Sequence, residues 1–345
     1  DEPYLVLSNH NSDLDPVLLA LSFKKHMYFV ASEHVYRRGF LSKLLYWGFK
    51  PIAKIKGSSD AITVMQTIRT LRSGKNVCLF PEGNRSFNGR TGTILEATGK
   101  LVKVSNVKLV TYKFEGGYFT TPRWGFGIRR GKLKGHVVNI YSKEDLKSMS
   151  AQEITNLIIK DLEENAYERQ TKSPVKYKGK NRAEGMETSV CICPKCKAID
   201  SIKTDKNKVW CSSCGLSTTY NEYGFFEENF PVKSIDIWDD LQKETIAELL
   251  ESSSNDKILF DNSNIVLNTV SQDHQTKEKK KGTLSICKDK IFFTPENIQT
   301  KIEININDIT DMSIYGKCSL VWTDTKGVHY EARPTDLINV RKYLF

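Results

Sequence analysis

The chain has 345 residues, 39% of them hydrophobic, enough to build more than one core and two or three domains. Its formal charge of +10 is unevenly spread: residues 1–140 hold 22 Lys+Arg against 9 Asp+Glu, or +13, leaving 29 against 32, or −3, for the remainder. The basic first part suits phosphate-bearing substrates, anionic lipid or nucleic acid, whereas no run approaches the ~18 consecutive apolar residues of a membrane span and no secretory signal is seen, so spanning and exported classes are not expected.

In chain order, the apolar run 4–7 predicts a strand that delivers Asn9-His10-Asn11-Ser12-Asp13-Leu14-Asp15, and Pro16 opens a helix over 16–23. A strand is expected over 27–31. Between Arg37 and Lys50, bulky residues including Trp47 mix with Arg38 and Lys43, a composition that fits a helix lying in a membrane interface as well as a buried amphipathic one. Asp60 is placed to cap a helix over 61–72, with Ile62, Met65, Ile68 and Leu71 on one side and Gly74 stopping it. A short buried strand over 76–80 then delivers Phe80-Pro81-Glu82-Gly83-Asn84-Arg85-Ser86. Strands follow over 107–114 and 135–141, and Ser150 with Glu153 forms a capping box for a helix running to about residue 168. The alternation of strands and helices predicts an α/β unit over 1–170 with a central mixed sheet and flanking helices.

Residues 171–190 are polar and basic without periodicity and read as a linker. Cys193-Pro194-Lys195-Cys196 and, after fourteen intervening residues, Cys211-Ser212-Ser213-Cys214 form two knuckles of soft thiolates. That spacing points to a small structural zinc ribbon over 191–226, with tetrahedral Zn²⁺ on Cys193, Cys196, Cys211 and Cys214 and no open position for catalysis. Few other cysteines are present, so reduced thiols in the cytosol are expected. A helical connector over 227–256 contains a helix at 235–250. Short β-rich runs at 257–260, 265–270, 283–287, 290–294, 301–306, 319–323 and 328–332 follow, with the basic run Lys277 to Gly282 as an exposed loop and a helix over 336–344. The region 257–345 thus reads as a β-rich domain of pleckstrin-homology or GRAM-like type. Lysines around the ribbon are mostly solvated in such scaffolds, so a nucleic-acid partner is not favoured.

The chemistry lies in the two blocks at strand ends, where active sites collect in α/β folds. His10 can act as a general base at neutral pH, and Asp15 can hold the other ring nitrogen. Asp13 is a competing neighbour. Gly83 lets backbone approach an anion, and Arg85 supplies a planar fork for phosphate. The plainer alternatives are a structural histidine, a surface ion pair at Arg85 and an ordinary turn at Gly83.

The pair NHxxxxD and FPEGxRS, in this order and spacing, resembles the glycerolipid acyltransferase family, whose members acylate 1-acyl-glycerol-3-phosphate. The resemblance spans about residues 3 to 165. It implies His10 as base with Asp15, acceptor binding by Glu82, Gly83, Arg85 and Ser86, no serine nucleophile and no catalytic cofactor. It also implies an acyl-CoA or acyl carrier protein donor, a lysophospholipid acceptor, and a protein peripheral on the inner, cytoplasmic face of a membrane. The chain begins at Asp1, where relatives commonly carry hydrophobic helices before the first block. Lys54 stands where the family has an arginine for phosphate, Asn84 replaces a common threonine, and Val110-Thr111 replaces a Val-Pro pair. These departures keep another hydroxyl acceptor, or a non-enzymatic lipid- or nucleic-acid-binding role, open.

Overall fold

The computed structural model describes residues 2–32, 51–54, 61–270, 276–296 and 301–345, and the amphipathic stretch 37–50 and the Asp60 cap lie outside these. The chain divides into two compact units, one of residues 1–123, 127–179 and 222–224, the other of residues 124–126, 180–221 and 225–345.

The first unit is built on β1 (Tyr4–Ser8), β2 (Met27–Ser32), β3 (Ile52–Lys54), β4 (Asn76–Leu79), β5 (Lys108–Glu115) and β6 (Lys134–Tyr141), in the sheet order β3-β2-β4-β1-β5-β6. All neighbours pair parallel except β5 with β6, so the sheet is mixed as expected. Side chains alternate across it. Leu5, Leu7, Val77 and Leu109 point to a core completed by Leu71, Val102, Ile154 and Ile158. These come from α2 (Ala61–Arg72), α3 (Glu96–Ser105) and α6 (Ala151–Leu162), with α5 (Lys143–Ser148) adding Leu146. On the opposite face Val6, Cys78, Val110 and Phe114 pack with Leu19 of α1 (Asp15–Ser22). Burial on both faces explains why β1 and β4 read as apolar runs rather than alternating ones.

Two helices differ from their sequence reading. In α2 the inward residues are Thr63, Thr67 and Leu71, while Ile62 and Met65 are 46% and 50% exposed. Positions three apart drift back by about 60° at ~3.6 residues per turn, so over nine residues Ile62 comes to lie opposite Leu71, whereas positions four apart stay on one face. The helix from Ser150 has its capping box but stops at Leu162. Asn165 accepts from the backbone N–H groups of Tyr167 and Glu168 and starts a new helix, α7 (Ala166–Lys172). Nor is the stretch after it solvated: Tyr177 is buried, stacks on Phe119 at 5.1 Å and donates from its hydroxyl to Lys132 O at 2.9 Å. A short helix, α4 (Gly117–Thr120), follows β5 through Gly116 in the left-handed region.

The second unit contains a three-stranded sheet of β7 (Ile202–Asp205), β8 (Lys208–Cys211) and β9 (Ser217–Thr219), then α8 (Ile235–Ser252). A seven-stranded antiparallel sheet follows: β10 (Phe260–Val270), β11 (Thr276–Ile286), β12 (Lys290–Pro295), β13 (Ile302–Asn305), β14 (Ile309–Tyr315), β15 (Ser319–Asp324) and β16 (His329–Pro334). Its order is β13-β12-β11-β10-β16-β15-β14, a curled β-rich domain. The basic run expected as a loop lies inside β11, where Leu267 pairs with Lys280. Lysines on an open sheet face keep their charge in water, so charge alone does not break a strand. The run expected at 265–270 extends back to Phe260 in β10, through a bulge after Asn262 with Asn264 at φ 58°, while residues 257–259 lie before the strand. The strand β14 was not foreseen. In place of the terminal helix there is a 3-10 turn over Val340–Leu344. Its Arg341 pairs with Asp239 of α8, and its Lys342, fully buried, pairs with Asp200.

Candidate active site and metal site

Parallel pairing places the C-terminal ends of β1 and β4 side by side, and each hands over one of the two sequence blocks. His10 Nδ1 lies 3.0 Å from Asp15 Oδ2, while the imidazole stacks on Phe80 at 4.3 Å and stays partly exposed. Asp15, the first residue of α1, is fully buried. Its Oδ2 also accepts from the backbone N–H of Asn11 at 2.7 Å and of Ser12 at 2.8 Å. The loop therefore wraps the carboxylate, and the negative charge sits at the N-terminus of a helix, where it is stabilised. Asp13, the competing neighbour, points outward to Arg85 at 3.2 Å.

Asn9 has a task that sequence left undecided. Its Nδ2 donates to Phe114 O at 2.9 Å and its Oδ1 accepts from Phe114 N at 2.7 Å, so the loop after β1 is stitched to the end of β5. Gly117 completes this wall, since a Cβ there would sit 3.2 Å from Asn11 Cβ and 3.6 Å from Asp15 Oδ1. Nothing in the motif spacing points to this residue.

The second block supports the first. Glu82 Oε1 accepts from His10 N at 2.6 Å and Oε2 from Gly92 N at 2.5 Å. Burial raises the Glu82 carboxyl to about 7 against these two amides, with Asp15 adding to the rise. Ser86 donates its N–H to His10 O at 2.8 Å and its hydroxyl to Arg90 O at 2.7 Å. Both residues thus hold the histidine loop by its backbone. Gly83 closes a turn on Phe80 at φ 69° with open space where a Cβ would be. Arg85 donates to Thr121 O at 3.3 Å and meets the exposed Asp13, a screened partner that a phosphate could displace. Arg123, buried and not foreseen, donates to Asn84 Oδ1 and Arg85 O at 3.3 Å and stacks on Phe87. Lys54 ends β3 at the same edge of the sheet as both blocks. Thr111, in the place of the family's proline, donates to Asp161 at 2.7 Å, which also accepts from Asn139 and Tyr141.

Residues 1–121 match the family model described as Acyltransferase. A curated relative, the chloroplastic 1-acyl-sn-glycerol-3-phosphate acyltransferase LPAT1 of Arabidopsis thaliana, is 26% identical over 133 residues, 37% of this chain and 36% of that protein. Over its first 121 residues the chain is therefore similar to acyltransferases of the glycerolipid type. The match thus spans about a third of the curated relative's length. Among solved structures, the 1-acyl-sn-glycerophosphate acyltransferase PlsC of Thermotoga maritima aligns at 18% identity and TM-score 0.37, covering 47% of this chain and 66% of that one. A chain of an 8S snRNP assembly intermediate aligns at 15% identity and TM-score 0.20, covering 25% of this chain and 75% of that one. Among the described residues no helix is long and apolar enough to cross a membrane.

In the second unit Cys193, Cys196, Cys211 and Cys214 bring their sulfurs within 4.8 Å of one another, a group that could hold a metal ion. Two of the separations, Cys193 to Cys214 and Cys196 to Cys211, are 3.7 Å. Four sulfurs at ~2.3 Å from a tetrahedral Zn²⁺ are about 3.8 Å apart, so the donor set fits that ion. The two knuckles are built alike: Lys197 N–H donates to Cys193 O and Gly215 N–H to Cys211 O, both at 3.0 Å, with both residues at positive φ. Burial opposes the Cys211 thiolate, yet Ser201 and the amides of Cys214 and Ser213 hold the thiol down to about 6.

Proposed function

We propose that the first unit transfers a fatty acyl group from a thioester, acyl-CoA or acyl carrier protein, to the hydroxyl of a lysophosphatidic-acid-like acceptor in phospholipid synthesis. The observation that carries this reading is the His10–Asp15 pair at 3.0 Å with the imidazole partly exposed. Nδ1 is engaged by Asp15, which leaves Nε2 to take the proton from the acceptor hydroxyl as its oxygen attacks the thioester carbonyl. The carbonyl carbon gains the oxygen, the C–S bond breaks, and the imidazolium, stabilised by Asp15, returns its proton to the departing thiolate. Arg85 and Lys54 supply positive charge for the acceptor phosphate beside the Gly83 turn, and Glu82 and Ser86 keep the base in place.

The four cysteines hold a structural Zn²⁺ as a ribbon, and the seven-stranded domain is of pleckstrin-homology or GRAM-like type. The protein works as a peripheral enzyme on the inner, cytoplasmic face of a membrane, with the lysophospholipid, the acyl donor and the lipid surface as partners and no nucleic acid. A different hydroxyl acceptor is the second reading, favoured by Lys54 and by Asn84, whose side-chain oxygen is taken by Arg123.

The test offers labelled acyl-CoA and a panel of lysophospholipids to the purified chain and to its His10→Ala and Asp15→Asn variants. Turnover with lysophosphatidic acid, lost on the order of 10²- to 10⁴-fold in His10→Ala with circular dichroism unchanged, is the expected result. Equal rates in wild type and His10→Ala would refute the mechanism. Salt-sensitive nucleic-acid binding without turnover on any acceptor would replace it with a binding role.

A further inference from the structure

Helix α1 carries Asp15 inward and, on its outer side, Val17 and Leu21 at helical spacing, while Leu18 at the border packs against the core. Val17 is 41% and Leu21 79% exposed, while Leu19 on the inner side is fully buried. The neighbouring edge strand extends this surface. β6 contacts α1, and Val110 pairs with Ile140 and Tyr112 with Val137. Directly paired residues share a sheet face, so Val137 and Ile140 lie on the α1 side, at 42% and 62% exposure. Ser22 Oγ meets Tyr112 OH at 2.9 Å, which fixes the end of α1 over this part of the sheet.

The two segments that build this face carry basic residues and no acid, and besides the inward Asp15 the nearest acids are Asp13 before α1 and Glu115 opposite Lys134. From residue 16 to 32 and from residue 127 to 141 there is no Asp or Glu, against Lys24, Lys25, Arg130, Lys132 and Lys134 at the surface and a buried Arg129. Lys24 and Lys25 are exposed in the turn that follows α1, and Lys132 and Lys134 are exposed at the start of β6. Apolar side chains rimmed by cations match a bilayer with anionic headgroups, where the chains enter the acyl boundary and the lysines stay at the headgroups.

We infer that the outer face of α1 and the adjoining face of β6 form the surface by which the acyltransferase unit sits on an anionic lipid bilayer. This deepens the proposed reaction and rests on it, since an amphiphilic acceptor would be held at the surface of the helix whose first residue, Asp15, holds His10. The full chain binds vesicles of phosphatidylcholine mixed with an equal share of phosphatidylserine more tightly than vesicles of phosphatidylcholine alone.

Sedimentation with these vesicles is compared for wild type, Leu21→Glu, Ile140→Glu, Lys24→Glu and the base-less His10→Ala. Leu21→Glu and Ile140→Glu are each expected to weaken binding on the order of tenfold, and Lys24→Glu about fivefold on anionic vesicles only. His10→Ala should bind as wild type does, so a failed acylation assay and a failed docking surface are told apart. Leu21→Ser replaces Leu21→Glu should circular dichroism show the latter unfolded. Wild-type binding by both apolar variants would overturn the assignment. So would a wild-type dimer, seen by sedimentation velocity, that Leu21→Glu dissociates, because the face would then join two copies of the chain.

Discussion

In the first unit the candidate base and its loop are positioned by carboxylates that accept backbone N–H groups, whereas in the second four sulfurs converge from two matching turns. The Asp15 carboxylate holds Asn11, Ser12 and the His10 ring, and Glu82 holds His10 and Gly92. The frame at His10 thus joins segments more than a hundred residues apart, down to Phe114. The thiolate cluster is assembled within 22 residues, from 193 to 214. A site of the first kind depends on the whole sheet for its shape, whereas one of the second kind is local and could be closed by an ion.

Metal removal separates the two most sharply. Zinc contributes on the order of 10 to 16 kcal/mol in small thiolate modules, so chelation or Cys196→Ser should abolish the cooperative unfolding transition of the second unit. The first unit's transition should remain. Calorimetry alongside metal analysis checks this, with about one zinc per chain expected before chelation; a metal-free chain with both transitions intact would remove the ribbon from the account.

The converse test cuts the long-range stitch. Asn9→Ala deletes both hydrogen bonds to Phe114. Asn11 Nδ2, at 3.3 Å from Phe114 O, can still serve the carbonyl, so the orphan is the buried Phe114 N–H. That costs on the order of 1 to 3 kcal/mol. A lower urea midpoint at unchanged slope is the expected outcome, accompanied by a loss of turnover because the His10 loop is no longer fixed.

What could be read from sequence follows this same division. The cysteine spacing is local, and the structure brings together the four sulfurs it implies. The strand ends at 8 and 79 were legible because short apolar runs halt where polar motif residues begin, and the His10–Asp15 contact spans only five positions. Glu82 was different. Read as an acceptor contact from its motif, it turns both oxygens to backbone amides, one of them ten residues ahead at Gly92, and backbone donors leave no trace in residue identity. Arg123 and Gly117 were missed because both lie outside the two motifs, and only the fold brings the guanidinium to Asn84 and the bare Cα to Asn11. The face of α2 was misjudged because a three-residue spacing looks regular yet spirals off one side of a helix.

Glu82 also gives the finest test of how the first site is held. Its folded carboxyl titrates at about 7 against an ordinary 4.5 because burial outweighs the two amide donors. Between these values the folded chain keeps a proton that the unfolded chain has lost, so stability falls as pH rises from about 4.5 to about 7. The contribution is complete below 4.5 and gone above 7. Its size is on the order of 1 kcal/mol once partial solvent access is allowed for. Glu82→Gln removes the titration, although its NH2 then opposes one of the two amides at every pH. The difference between wild-type and variant urea midpoints, followed from pH 4 to 8, should therefore shift in favour of the variant as pH rises through that window. A difference that stays flat would mean that the amides of His10 and Gly92 keep the carboxylate ionised throughout, and that the histidine loop is clamped by a permanent charge.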